Sequence, residues 1–421
     1  MKHPMDQSTN QPITAADGTP LKKKLAQAMF RSKLRATGMV LPLLGFVLAS
    51  FVFPIIALMW QGVYNDTFSK LMPNLTEELR VWDGVSEPTE EMYALLVADL
   101  VQNRKDKTIG KVASRVNQEL AGTRSLFTST ARKAAKLKPP YKEAVIKTKK
   151  KWGNLEAWQA MKLTNQSLTP GYYATSLDAR YTVDEGFVKK DDKRSIYTKL
   201  FVRTLMISGS VMFLCLLLGY PAAYLLATLP LKYSNLLMIM VLLPFWTSLL
   251  VRTTAWIAIL QSQGVINDIL VWIGVTADDS RFSLIYNMTG TIVAMTHILL
   301  PFMILPLYSV MKTIPPSYMR AARSLGATPT KAFIKVYIPQ TIPGVGAGGL
   351  LVFILAIGYY ITPALVGGQD GQLISNMIAY HMQKSLNWSL AAALGGILLA
   401  GVLLLYWAYD RIIGIDNMKL G

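Results

Sequence analysis

The sequence predicts an all-α polytopic membrane protein of about six transmembrane helices, with a large, mostly helical insert between the first and second. Three observations lead there. Of the 421 residues, 52% are hydrophobic and only 16% are charged, a balance that a water-soluble domain could hardly keep in solution. The apolar residues gather into blocks of about twenty, the length that crosses a hydrocarbon layer. The polar connections between blocks carry a Lys/Arg excess of the kind found on cytoplasmic flanks, and this accounts for the formal net charge of +18 without invoking nucleic acid.

The elements follow in order. Residues 1–37 read as a cytoplasmic tail: about twenty residues with little to bury, then a basic stretch with Lys22, Lys23, Lys24, Arg31, Lys33 and Arg35. Residues 38–60 form the first transmembrane helix, ending in Met59 and Trp60. The run is too long for a signal-peptide core and has no small-residue cleavage site behind it, so it is expected to stay uncleaved. Residues 61–199 hold roughly two dozen Lys/Arg against about seventeen Asp/Glu and no run long enough to span. Met92, Leu95, Leu96 and Leu100 recur at helical spacing, and Thr89 followed by Glu90 and Glu91 marks a helix start. Such a segment is too long for a structureless loop and is expected to be a small helical domain in water.

Residues 200–410 contain five further candidate spans, at about 200–227, 235–260, 287–311, 342–366 and 389–409, followed by a tail at 411–421. Pro221, Pro244, Pro301, Pro306 and Pro363 lie inside them. Neighbouring helices can absorb such breaks at membrane depth, and several of them suggest helices bent around a pathway. The basic N-terminal flank should remain in the cytoplasm. Counting spans from there places the insert outside and both termini inside. The loop at 312–341 is then cytoplasmic, with Lys312, Arg320, Arg323, Lys331 and Lys335 and no acid. The loop at about 261–286 is external, with Asp268, Asp278 and Asp279 against Arg281.

One segment carries more specific information. Arg320-Ala-Ala-Arg-Ser-Leu-Gly326 is followed by ten residues through Val336 and then by Tyr337-Ile338-Pro339. Ala321, Ala322, Gly326, Val336, Ile338 and Pro339 stand in the register of the EAA motif, and the segment resembles the coupling loop of binding-protein-dependent ABC importer permeases. Gly219-Tyr-Pro-Ala-Ala-Tyr-Leu-Leu-Ala227, Leu243-Pro-Phe-Trp-Thr-Ser-Leu-Leu-Val-Arg-Thr253, Leu300-Pro-Phe-Met-Ile-Leu-Pro-Leu-Tyr308 and Pro363-Ala-Leu-Val-Gly-Gly368 are similar to segments of spermidine/putrescine-type permeases. The resemblance covers about 195–410 and the first span, and the insert lies outside it.

The resemblance implies a type I importer permease in a bacterial inner membrane, one that translocates a small amine. Its implied partners are a second permease subunit, two ATPase subunits and a periplasmic solute-binding protein. It also implies no cofactor on this chain, with ATP and Mg held by the ATPase. Arg320 departs from the family pattern, which usually has Glu there. Either the ATPase surface compensates for the reversed charge, or the second permease supplies the usual contact.

Candidate solute-pathway residues are Trp246, Arg252, Trp256, Tyr359 and Tyr360. An ionisable group at membrane depth should face a cavity or a partner, although Arg252 can also cap helix carbonyls or reach the interface. The aromatics can hold a cation by cation–π contact or serve as packing and interfacial anchors. A fixed Arg252 in contact with solute would favour a carboxylate-bearing molecule, such as an opine or amino-acid derivative, over a polyamine. His297 has no second metal-ligating residue near it in sequence and reads as a hydrogen-bonded bundle histidine. Cys215, a lone cysteine in an apolar run, reads as filler. Gly344 and Gly348 suggest close helix approach, within one subunit or between two, and Gly395, Gly396 and Gly401 invite the same reading.

No Gly-x-x-x-x-Gly-Lys-Ser/Thr stretch occurs, so this chain is not expected to bind nucleotide through a P-loop. No Asp or Glu reads as buried in its spans, as a proton-coupled transporter would need, so energy is expected from elsewhere. Two other classes make different predictions. A membrane-anchored binding module would co-purify without an ATPase, and a secondary transporter would keep working after ATP depletion.

Overall fold

The computed structural model describes residues 21–182, 186–189, 191 and 195–413. The expected disorder before residue 21 and most of the C-terminal tail lie outside the described residues. The chain divides into two units, Met1–Trp60 and Gln61–Gly421. Six described helices are long and apolar enough to span a membrane: Ser32–Gln61, Tyr197–Thr228, Leu249–Trp272, Met288–Thr313, Pro329–Gly358 and Trp388–Arg411. They are called the first to sixth spans below.

The first span widens into a π-turn at Leu48–Val52, and Phe53 donates its N–H back to the Leu48 carbonyl. The next residue is Pro54, which has no N–H to give. The same device recurs in the fifth span. A π-turn at Phe333–Tyr337 is closed by the Ile338 N–H on the Phe333 carbonyl, and Pro339 follows. In both places the longer bond absorbs a proline while the helix continues.

The insert folds around its own core. Tyr93, Phe127, Trp152 and Trp158 meet edge to face with ring centroids 4.7–6.0 Å apart. Their polar atoms are satisfied inside the cluster: Trp152 Nε1 donates to Thr130 Oγ1 at 2.8 Å and Trp158 Nε1 to the Trp152 carbonyl at 3.0 Å. Thr89 caps the helix Glu90–Lys105 by accepting the Met92 N–H, and Met92, Leu96 and Leu100 are buried. The insert's ends are fastened together. Asn65 donates to the Ser167 carbonyl at 2.8 Å and Thr169 to the Val63 carbonyl at 2.9 Å. Beyond this neck the short helix Gly171–Ser176 packs on the sixth span, where Tyr172 joins Leu390, Ala393 and Leu394 in one apolar cluster. A β-carbon on Gly396 would sit 2.8 Å from the Tyr173 hydroxyl, so the sixth span accepts the insert at a glycine. A two-stranded antiparallel hairpin, Ala179–Thr182 with Gly186–Lys189, precedes the second span.

The membrane core is built on the second, fourth and fifth spans. A β-carbon on Gly348 would lie 3.1 Å from the Met303 carbonyl oxygen, one on Gly344 3.1 Å from Val310, and one on Gly219 3.1 Å from Met303 Cγ. The small residues therefore serve contact within this subunit. Gly395 and Gly401 have open space at the β position. Cys215 is buried in the same core, its thiol 3.4 Å from the Thr296 carbonyl.

Two expected spans differ from those observed. The span expected at 235–260 is broken into a helix Leu231–Leu242, a tight turn Leu243–Trp246 and a new helix from Leu249. Pro244 cannot extend the first helix, and Ser248 caps the second by accepting the Val251 N–H at 3.2 Å. The helix from Leu249 stops at Leu260, and after a turn a separate helix, Val265–Trp272, continues the third span inside what reads as a loop by hydropathy. The span expected at 342–366 runs instead from Pro329 to Gly358 and is followed by a separate short helix, Ile361–Val366. In an unbroken helix the Pro363 ring would collide with the Tyr359 carbonyl, so the chain breaks at Tyr359 and Tyr360. At the other end, Thr328 caps and Pro329 starts the helix, so polar residues as far as Thr341 are helical and the loop at 312–341 is shorter than expected.

One carboxylate ties the insert to the core. Asp178 accepts the Ile196, Tyr197 and Thr198 N–H groups at 2.7–3.2 Å, and the Thr198 hydroxyl at 2.7 Å, at the start of the second span. Burial pushes this carboxyl up, but the hydrogen bonds from Thr198, Ile196 and Tyr197 outweigh it and hold the pKa below the ordinary 3.8. A depressed folded pKa contributes stability above the unfolded value, and that stability is lost as pH falls through the folded one. Asp178→Asn should therefore cost about 1–2 kcal/mol at neutral pH. In thermal melts of the purified chain, the gap to the parent protein should close as pH drops below the aspartate range. A pH-independent gap would remove the charge from the explanation.

Candidate functional site

Two groups of candidate residues can be built from the fold. The first is the segment between the fourth and fifth spans. Pro315 and Pro316 open the helix Pro316–Ser324, Pro316 at the position where a missing N–H is harmless. The helix ends in a Schellman arrangement: the Gly326 N–H reaches the Arg323 carbonyl at 3.0 Å and the Ala327 N–H reaches the Ala322 carbonyl at 3.1 Å. Gly326 has φ +88° and nothing within 4 Å of a β-carbon position. Its requirement is thus conformational, since side-chain-bearing residues are strained there.

Met319 leans on the core, while Arg320, Ala321 and Arg323 face outward. Tyr318 is 50% exposed and Leu325 is 89% exposed. Leu325 thus stands uncovered by the described residues at the tip of a basic helix. Ile338 and Pro339 do not share that surface. They lie past the π-turn, in the first turns of the long helix.

The base of this element rests on aromatics. Tyr224 of the second span meets Phe333 and Tyr337 edge-on, each at 5.3 Å, and those two rings stack on one another at 5.3 Å. The Tyr220 hydroxyl pairs with Thr341 Oγ1 at 3.0 Å. Sequence reasoning did not single out these tyrosines as supports. The signal was available in two aromatic i, i+4 pairs, 220/224 and 333/337, which place both rings of each pair on one helix face.

The second group lies in the membrane. Arg252 and Trp256, one turn apart on Leu249–Leu260, face His297 of the fourth span. Trp256 Nε1 donates to His297 Nδ1 at 3.1 Å, with ring centroids 5.2 Å apart. Arg252 is an electrostatic neighbour of both His297 and Tyr359, and its Nε is buried without a hydrogen-bond partner among the described residues. His297 is nine residues into its helix, about 14 Å along at 1.5 Å per residue, and so close to mid-membrane. Thr253 and Thr362 bring the helix after the Tyr359 break against the third span, with their hydroxyls 3.3 Å apart.

The structure thus joins Trp256 to His297 by hydrogen bond and ring contact, with Arg252 as the charged neighbour of both His297 and Tyr359. Trp246, 78% exposed on the turn after Pro244, and Tyr360, at the break, share no hydrogen bond or ring contact with that group among the described residues. His297 is exposed on this chain. A polar group open at that depth is compatible with a water-filled path or a protein partner, not with acyl chains.

Comparisons with known proteins agree with this anatomy. Residues 216–413 match the family model for the binding-protein-dependent transport system inner membrane component. The spermidine/putrescine transport system permease protein PotB of Escherichia coli (strain K12) is 35% identical over 221 residues, which are 52% of this chain and 80% of that protein. PotB of Haemophilus influenzae is 34% identical over 225 residues, 53% of this chain and 78% of that one. A chain of a bacterial alginate ABC transporter superposes with TM-score 0.43 and 18% identity, covering 54% of this chain and 82% of its own. The family-model match takes in the end of the second span, the four later spans, the helix ending at Gly326 and the mid-membrane cluster, and the insert lies outside it. The chain belongs to the family of binding-protein-dependent transport system inner membrane components: it is a multi-pass inner-membrane permease subunit of an ABC importer, a pore subunit whose ATPase is a separate chain.

Proposed function

We propose that this subunit forms half of a pathway for a small amine of the putrescine or spermidine kind, delivered by a periplasmic binding protein and completed by a second permease subunit. The observation that carries the substrate class is the 35% identity to polyamine permeases over four-fifths of PotB. The exposed face with His297 at mid-depth supports a path shared with a partner subunit. Two ATPase subunits, holding ATP and Mg, would dock on the helix Pro316–Ser324. Its Arg320 and Arg323 call for acidic positions on the ATPase surface. Both termini then face the cytoplasm and the insert faces the periplasm.

A second reading is favoured by Arg252. Its unpartnered Nε at membrane depth suits a solute bearing a carboxylate as well as an amine. Labelled putrescine and spermidine uptake, measured with and without this gene, separates the two. Loss on deletion, with Arg252→Gln slowing uptake severalfold through the local structure alone, supports polyamines. Unchanged polyamine uptake, with an opine or amino-acid derivative taking the label instead, supports the second reading.

The coupling role has its own test. Gly326→Arg should insert in the membrane but abolish uptake. Gly326→Asn, which tolerates positive φ, should retain much more activity than Gly326→Ala, where the strain is about 1 kcal/mol. Equal transport by all three variants would rule out the helix-ending turn as part of the coupling path.

The insert is read as a platform for the loaded binding protein. Because the neck brings residues 63–65 beside 167–169, residues 66–166 can be replaced by a short linker. That variant should show a weaker apparent affinity for the loaded binding protein in an ATPase-stimulation assay. Unchanged affinity would make the insert a scaffold for the outer mouth.

A further inference from the structure

Beside the neck, where the insert meets the start of the sixth span, lies a cavity of about 680 Å³. Its charge is one-sided. Lys111, Arg115, Arg124 and Lys384 line it, and the lining carboxylate, Asp66, is already engaged by Lys70 at 2.7 Å and by the Tyr64 hydroxyl at 2.9 Å. Arg115 is the unusual member. Its side chain is 2% exposed, and its guanidinium lies over the Tyr172 ring at 5.0 Å and gives Nη1 to Glu119 at 2.8 Å. Nε and Nη2 are buried with no hydrogen-bond partner among the described residues. A buried guanidinium with two idle donors is costly unless something accepts from it.

The N-terminal end of the 26-residue helix Trp388–Ile413 also borders the cavity, adding its positive dipole end. Trp388 is both a lining residue and the first residue of the sixth span, so the cavity opens at the edge of the hydrocarbon layer, where an indole typically sits.

We infer that this cavity binds the phosphate headgroup of an anionic phospholipid from the leaflet on the insert's side. The chemistry asks for a compact, multiply accepting anion. The shape asks for one that reaches a recessed arginine, which a docked protein surface does poorly. The position asks for one already held at the hydrocarbon boundary. Polyamine solutes are excluded by like charge. The site would fasten the insert to the membrane independently of solute transport.

The test uses the full-length protein purified in mild detergent and titrated with phosphatidylglycerol, phosphatidylcholine or inorganic phosphate. Bound species are counted by native mass spectrometry, and thermal unfolding is followed in parallel. Phosphatidylglycerol should be retained in preference to phosphatidylcholine and should raise the melting temperature. The exposed-residue variant Lys111→Gln/Arg124→Gln/Lys384→Gln, which leaves the buried Arg115–Glu119 pair intact, should weaken that retention about tenfold. Arg115→Gln should do the same if it folds. Equal retention of the two lipids, or parent-like retention in the triple variant, overturns the proposal. So does saturation by inorganic phosphate that displaces the lipid without loss of stability, which would mark a site for a free anion. Unchanged lipid retention with a weakened response to the loaded binding protein would reassign the patch to protein docking.

Discussion

Helices in hydrocarbon gain little from hiding apolar side chains from one another, so their association depends on how closely their backbones can approach. Here the second, fourth and fifth spans meet through glycines, with Met303 touching two of them and Val310 the third. The other functional parts hang on that three-helix unit. Tyr220 and Tyr224 project from the second span to hold the base of the segment between the fourth and fifth spans. His297 projects from the fourth to meet Trp256. Larger residues at Gly344 or Gly348 would push these supports apart together. The segment between the fourth and fifth spans and the mid-membrane cluster therefore share one packing solution.

The prolines have two different fates, and the difference explains much of the architecture. Pro301 and Pro306 stay inside a continuous helix, and Pro54 and Pro339 are absorbed by π-turns. Pro244 and Pro363, by contrast, interrupt their helices. Both interruptions flank the polar cluster. The first frees Ser248 to start the helix that presents Arg252 and Trp256, and the second leaves Tyr359 at a helix end. Irregular backbone at membrane depth is tolerated where it is buried in protein or lines a cavity, and both breaks lie beside candidate pathway residues, Trp246 at the first and Tyr359 and Tyr360 at the second.

Hydropathy located most of the spans, because burial in lipid imposes length and composition directly. It could not see that Pro244 ends a helix while Pro301 does not, since that depends on which neighbours satisfy the freed carbonyls. It also placed the start of the fifth span too late. Lys331, Lys335 and Gln340 look like loop residues by composition, yet they belong to a helix that emerges from the membrane. Gly326 was legible from motif spacing, and its φ of +88° supplies the physical reason. The meeting of Trp256 with His297 was not legible: the two are far apart in sequence, and neither has a periodicity that points to the other. Arg115 looked like one basic residue among two dozen, and only the fold shows it buried.

The neck of the insert has a consequence for how the chain could be assembled. Loop-closure entropy rises only with the logarithm of loop length, and in the folded protein the backbone pairing at residues 63–65 and 167–169 brings the loop's two ends together. The membrane helices therefore experience a connection of a few residues, whatever the size of the domain beyond it. Domain and bundle can each reach their native state in their own solvent, one in water and one in lipid, with little cross-talk in register. A sequence change in the aromatic core of the insert would unfold that domain and leave the permease bundle standing. In evolutionary terms the module can be gained, exchanged or lost without redesigning the bundle.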